Sequence, residues 1–182
     1  PGQRHRLPPA VQRVTMRRRM NPTSWIGPLD PSKRYTASKT PITGVRDTSG
    51  QLETSFKPVG LWYACGPEWI DWLDSEMPDW LEEVRFVYEV IPNFKEILEL
   101  NSVQDIRDFD AKYGVGSRYA RRGGTEEVRW QDVAEGVDGI EICPYQFSLR
   151  NSVVGWYYTW DVASGCIWRP GGLTDLRLVA KR

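Results

Sequence analysis

The chain has 182 residues, with 24 Lys+Arg against 24 Asp+Glu, one His, three Cys and nine Trp. That length suits one domain, or one domain plus an arm, and the 40% hydrophobic content is that of a folded chain with no apolar run long enough to span a bilayer. The single His, His5, lies in a Pro/Arg-rich leader, which excludes a Ser-His-Asp triad, a Cys-His pair and His-ligated zinc from the folded part.

Residues 1–20 carry six arginines and no acid, leaving 18 basic against 24 acidic groups in residues 21–182, a net charge of −6. Residues 1–20 are thus a flexible basic arm or leader, able to touch nucleic acid or an acidic partner. Residues 21–182 are expected to form a single globular domain. The leader has no apolar core of secretory type, so the expected compartment is intracellular, cytoplasmic by default, with no membrane partner.

In chain order, residues 21–33 are rich in Pro, Ser and Gly and read as loop. Arg34–Ser38 is a short strand candidate. Residues 43–54 are polar and turn-forming, a mobile loop with its turn at Asp47-Thr48-Ser49-Gly50. The apolar run from Lys57 to Gly66 is a strand, and Pro67 opens a helix whose face is built by Trp69, Trp72 and Leu73 and which Pro78 stops. Val84–Ile91 and Ile97–Leu100 are strands by β-branched and aromatic content. Ser102 with Asp105 starts a helix that carries Ile106, Phe109 and Tyr113 on one face and closes at Gly114.

Residues 114–127 form a basic, glycine-rich loop that matches neither a Walker nor a Rossmann pattern. A short helix around Trp130–Glu135 precedes a strand over residues 138–142. Gly155–Trp168 reads as two strands broken near Ser164-Gly165, and Leu176–Val179 as a final edge. Strands outnumber helices and lie close in sequence. The expected class is α+β, with mainly antiparallel, split sheets and a few short helices.

Three cysteines without C-x-x-C spacing or His do not supply a four-ligand zinc site, so Cys65, Cys143 and Cys166 read as core thiols and no metal is expected. Trp62, Trp69 and Trp72 group in one region and Trp156, Trp160 and Trp168 in another, either as core or as an aromatic cleft for a flat ring. Carboxylates are the remaining acid–base stock. Glu141, between Ile140 and Ile142, faces solvent by alternation, pairs with a base, or is a site group. Asp161, set between Trp160 and Val162, has a structural or a site role.

The strings KPVGLWYACGPEWIDWLDSEMP, VDGIEICPY and WYYTWDVASGCIW resemble an uncharacterised group of viral and microbial proteins sharing KPxGLWYxxGxxWxxW and WDVASGCIW. A more distant likeness is to the ADP-ribosyltransferase fold. Arg34–Ser38 resembles that superfamily's first strand, Gly60–Ala64 its second, and Val137–Ile140 with Asp161–Trp168 its late strands. The resemblance implies a substrate, NAD, cleaved at the nicotinamide riboside carbon and transferred to a protein or nucleic-acid acceptor. It implies that Tyr63 or Trp62 stacks the nicotinamide, that Thr36 and Arg34 hold the amide and phosphate, and that Asp161 or Glu141, or Ser164 at the same position, does the work of the catalytic acid. The chain departs from the family in having Thr36 where one branch has His, and in lacking Ser-Thr-Ser and Glu-x-Glu. The alternative class is a non-catalytic viral or accessory binding module, with an aromatic docking surface and the arm on nucleic acid or a neighbouring subunit.

Overall fold

The computed structural model describes residues 23–116 and 124–182; the basic arm, His5 and the centre of the glycine-rich loop lie outside them. Nine strands and four α-helices follow in the order β1 (Arg34–Ser38), β2 (Leu61–Cys65), α1 (Glu68–Glu76), α2 (Pro78–Glu83), β3 (Phe86–Pro92), β4 (Ile97–Leu100), α3 (Val103–Tyr113), β5 (Gly114–Gly116), β6 (Thr125–Val128), α4 (Trp130–Gly136), β7 (Gly139–Ile142), β8 (Ser164–Ile167) and β9 (Leu173–Lys181). Seven strands make one sheet in the order β4-β7-β8-β2-β1-β3-β9, and β5 with β6 makes a separate ribbon. Every pairing in the large sheet is antiparallel except β4 with β7. The α+β class with a mainly antiparallel sheet is therefore observed.

Local chemistry explains most of these elements. Pro67 sits just before α1, with Glu68 and Asp71 in its first turn where the helix dipole favours acids. Pro78 ends α1 by opening α2. The Ser102 hydroxyl accepts from the Asp105 N–H at 3.1 Å, and the Asp105 carboxylate accepts from the Asn101 N–H at 3.0 Å. This cap satisfies donors that the first turn of α3 leaves free. Ser102→Ala is expected to lower stability by about 1 kcal/mol, read as a shift in denaturation midpoint at unchanged slope; a shift below the noise would remove the cap from the account of α3.

Three expectations need correction. The described ends of the glycine-rich stretch 114–127 are not loop but the paired strands β5 and β6. The segment before β8 is not a strand: Gly155–Thr159 is a 3₁₀ turn. Trp156, Tyr157 and Trp160 are all fully buried. Residues at i, i+1 and i+4 share a face on a helical turn and not on a strand, so burial overrides the β-propensity of the aromatics. The stretch 43–54 is not a free loop either. Gln51 is buried, its Nε2 donates to the carbonyls of Thr48 and Val59, and its Oε1 accepts from the Val59 N–H. The Thr48 N–H donates to the Trp168 carbonyl at 2.8 Å, fastening the segment to the end of β8. Only the Asx bond from the Ser49 N–H to Asp47 keeps the expected turn chemistry.

Strand alternation sorts the core into three groups on two faces. On one face, α1 and α2 cover β1 and β3 through Tyr35, Ile70, Leu73, Leu81 and Val87. On the same face, α3, α4 and the 3₁₀ turn cover β7 and β8 through Phe109, Trp130, Ile140, Trp156, Trp160 and Cys166. The opposite face carries Tyr63, Val90, Ile97 and Ile167. The two helical layers thus flank the middle of the sheet, with β2 and the adjoining part of β1 between them.

Candidate functional site

A cavity of about 280 Å³ lies over those middle strands, in the gap between the two helical layers. Its walls come from Tyr35 and Ala37 of β1, Trp62 and Ala64 of β2, Trp69 of α1, and Asp161, Val162 and Ser164 at the entry to β8, with Lys57 at the rim. Adjacency of β8, β2 and β1 is what brings together residues 125 or more positions apart in sequence. Because Tyr35 pairs with Ala64, and Ala64 with Ser164, the side chains of those three positions point to the cavity face. Thr36 and Tyr63 also border the cavity. Their alternation places their side chains on the far face, so they border it through the backbone.

Trp62 meets Trp160 edge-on, with ring centroids 4.9 Å apart, and its Nε1 donates to the Pro58 carbonyl at 3.3 Å. These two contacts fix the indole, which forms part of the cavity wall. The Lys57 ammonium stands 5.2 Å from the Trp62 ring centroid and 3.9 Å from an Asp161 oxygen. Burial holds the Lys57 pKa below the ordinary lysine range, against the pull of Asp161. The other Asp161 oxygen is 3.7 Å from Arg150. Asp161 is therefore a partly exposed carboxylate between two cations rather than a solvated surface acid. The Ser164 hydroxyl donates to the Val162 carbonyl at 2.9 Å.

Arg34 and Glu141 are not in the cavity. Glu141 is 1% exposed. The Arg34 Nε donates to Oε2 at 3.0 Å and Nη2 to Oε1 at 2.6 Å, while Nη1 donates to the Ser32 carbonyl. Of the three sequence readings of Glu141, pairing with a base is the one observed. The pair spans β1 to β7 on the sheet face opposite the cavity, with the Phe94 ring 5.2 Å from the guanidinium carbon. The Tyr63 hydroxyl lies on that face too, buried against Gly165, and burial with the Glu141 charge raises its pKa well above the usual value. The candidate residues thus divide: Trp62, Asp161 and Ser164 share the cavity, Thr36 and Tyr63 border it, and Arg34 with Glu141 belongs elsewhere.

Sequence reasoning missed Lys57 as a cavity residue, and it grouped Trp69 with Trp62 without deciding between core and cleft. Lys57 stands four residues before β2, in the same KPVGLW string as Trp62, which is the only local sign of its position. Of the tryptophans, Trp130, Trp156, Trp160 and Trp168 are fully buried core, while Trp62, Trp69 and Trp72 are partly exposed. Trp69 and Trp72 stack on each other at 5.0 Å and 10°. Among the described residues no helix is long and apolar enough to cross a membrane.

Comparison with known proteins finds no matching family, no matching curated protein and no matching solved structure.

Proposed function

We propose that the chain is an NAD-using ADP-ribosyltransferase-like domain that passes ADP-ribose to a protein or nucleic-acid acceptor. The observation that carries the reading is the cavity over β1 and β2, where an indole, a carboxylate and a lysine converge. Its size fits the nicotinamide end of a dinucleotide rather than the whole molecule. The strands that resemble the superfamily's first, second and last are neighbours in the sheet, which supports the same reading.

In this reading Trp62 stacks the nicotinamide and the Ser164 hydroxyl turns toward its amide. Lys57 takes the phosphate role, since Arg34 is committed to Glu141. The bond between the ribose carbon and the nicotinamide nitrogen breaks, nicotinamide leaves with the electron pair, and an acceptor nucleophile bonds to the same carbon and gives its proton to the medium. Asp161 stabilises the positive charge that develops on the sugar.

The test is labelled NAD with the full chain, read as binding by calorimetry and as nicotinamide release. Binding is expected, with slow hydrolysis when no acceptor is present. Asp161→Ala is expected to cut release by about 100-fold or more, and Lys57→Met to weaken binding while leaving the fold intact. NAD neither bound nor consumed would leave the non-catalytic binding module as the surviving reading.

A further inference from the structure

On the sheet face away from the cavity, two of the three cysteines meet. Arg34 is paired with Cys65 across β1 and β2, and Glu141 with Gly165 across β7 and β8. Alternation then puts Arg34, Cys65, Glu141 and, two residues further on, Cys143 on one face. The two sulfurs and a Glu141 carboxylate oxygen all lie within 4.8 Å of one another. Cys65 and Glu141 are buried and Cys143 is half-buried, so the group reaches solvent on the Cys143 side.

A disulfide does not suit this pair. The Cys65 N–H donates to the Ala163 carbonyl, and Ser164 pairs with both Ala64 and Ile142. The chain entering β8 therefore runs between the two cysteines. Neighbouring strands lie about 4.8 Å apart, which puts two strands separated by a third at about 9–10 Å, beyond the ~7 Å limit between Cα atoms that a disulfide bridges. A metal ion suits the gap better. With metal–sulfur bonds of about 2.3 Å and a metal–oxygen bond of about 2.0–2.2 Å, the edges of a tetrahedral site are about 3.4–3.8 Å, so small side-chain movements close the present spacing.

The charge also balances. Arg34 and Glu141 cancel, and two thiolates then match one divalent cation. The Arg34 fork uses one lone pair on each Glu141 oxygen and fixes the carboxylate's orientation, as outer partners of metal ligands commonly do.

We propose that Cys65, Cys143 and Glu141 form a three-ligand site for a thiophilic divalent cation, zinc by its donor set, with the fourth position open to solvent beside Cys143. Binding forms two Zn–S bonds and one Zn–O bond, and each thiol gives its proton to the medium, with no change of oxidation state. The site revises the expectation that three thiols without His hold no metal, and it is independent of the NAD reading.

The full chain, reduced and stripped of metal, is titrated with Zn²⁺ against a chromophoric chelator and, separately, with Co²⁺ as an optical probe. One metal per chain is expected, with a thiolate-to-cobalt charge-transfer band in the near ultraviolet. Cys65→Ser and Cys143→Ser are each expected to weaken binding by at least about 100-fold, while Cys166→Ala, at a buried thiol outside the group, leaves it unchanged. If Cys65→Ser does not fold, half-buried Cys143→Ser carries the test. A readout without variants is alkylation by iodoacetamide, which zinc is expected to slow at least tenfold at Cys143. Zinc affinity unchanged by either Ser variant, cobalt bound without the band, or alkylation equally fast with and without zinc overturns the proposal.

Discussion

Arg34→Met is expected to cost about 3–5 kcal/mol of stability, because it leaves the buried Glu141 carboxylate without its cation. Glu141 is 1% exposed, and its two donors at 3.0 and 2.6 Å both come from Arg34. Arg34→Lys is expected to recover little, since an ammonium cannot form the two-pronged fork. The double variant Arg34→Met, Glu141→Leu is expected to regain most of the loss, because removing both charges also removes their desolvation cost. Urea unfolding of the three variants at equal slope gives the numbers. A single variant within about 1 kcal/mol of the parent would mean that the carboxylate finds another partner or is protonated at no cost.

The second large effect is expected at Trp156. Its ring is fully buried and meets Phe109, Trp130 and Trp160 at centroid distances of 5.4, 6.3 and 6.4 Å. The indole Nε1 donates to an Asp110 oxygen at 2.8 Å, tying the 3₁₀ turn to α3. Trp156→Ala removes the transfer energy of the ring and leaves a void that the neighbouring aromatics cannot fill, for a loss of about 3–5 kcal/mol. Trp156→Phe keeps most of the packing and loses the hydrogen bond, so its loss should be clearly smaller. Asp110 keeps a partner in that variant, since the Thr125 hydroxyl also donates to it. Equal losses for Phe and Ala in thermal unfolding would show that the hydrogen bond, and not the ring volume, holds this layer together.

Elements whose causes are local were legible in the amino-acid order. β1 and β4 have the expected limits, α1 and α3 start and stop where Pro67, Pro78, Ser102 and Gly114 signal it, and α4 ends one residue beyond its expected span. Such signals act over one helical turn or one strand, so a single sequence carries them in full. The 3₁₀ turn at Gly155–Thr159 was legible in principle, through the i, i+1, i+4 spacing of Trp156, Tyr157 and Trp160. The β-propensity of the same residues pointed the other way, and only burial against α3 and α4 decides between the two.

Part of the candidate site was legible as well. Trp62 and Asp161 stand out as an aromatic and an acid in apolar strings, and Ser164 follows Asp161 closely. Which residues share a face was not legible. A one-residue change of register inverts the faces of a strand, and the pairings of Tyr35 with Ala64 and of Glu141 with Gly165 are set by contacts between distant segments. For that reason Arg34 and Glu141, grouped with the cavity residues by their strands, lie on the other side of the sheet.

By itself, the sequence determined a single histidine at position 5, an excess of acids in residues 21–182 after a basic first twenty, the α+β class, and the limits of β1 and β4 with the places of α1, α3 and α4. The tertiary structure decided the strand order β4-β7-β8-β2-β1-β3-β9, the cavity between two helical layers, the Arg34–Glu141 pair and the meeting of Cys65 with Cys143. The physical reason is range. Capping, turn chemistry and propensity act between near neighbours, whereas charge pairing across 107 positions, and thiols brought together from 78 positions apart, exist only once sheet register has been set by burial.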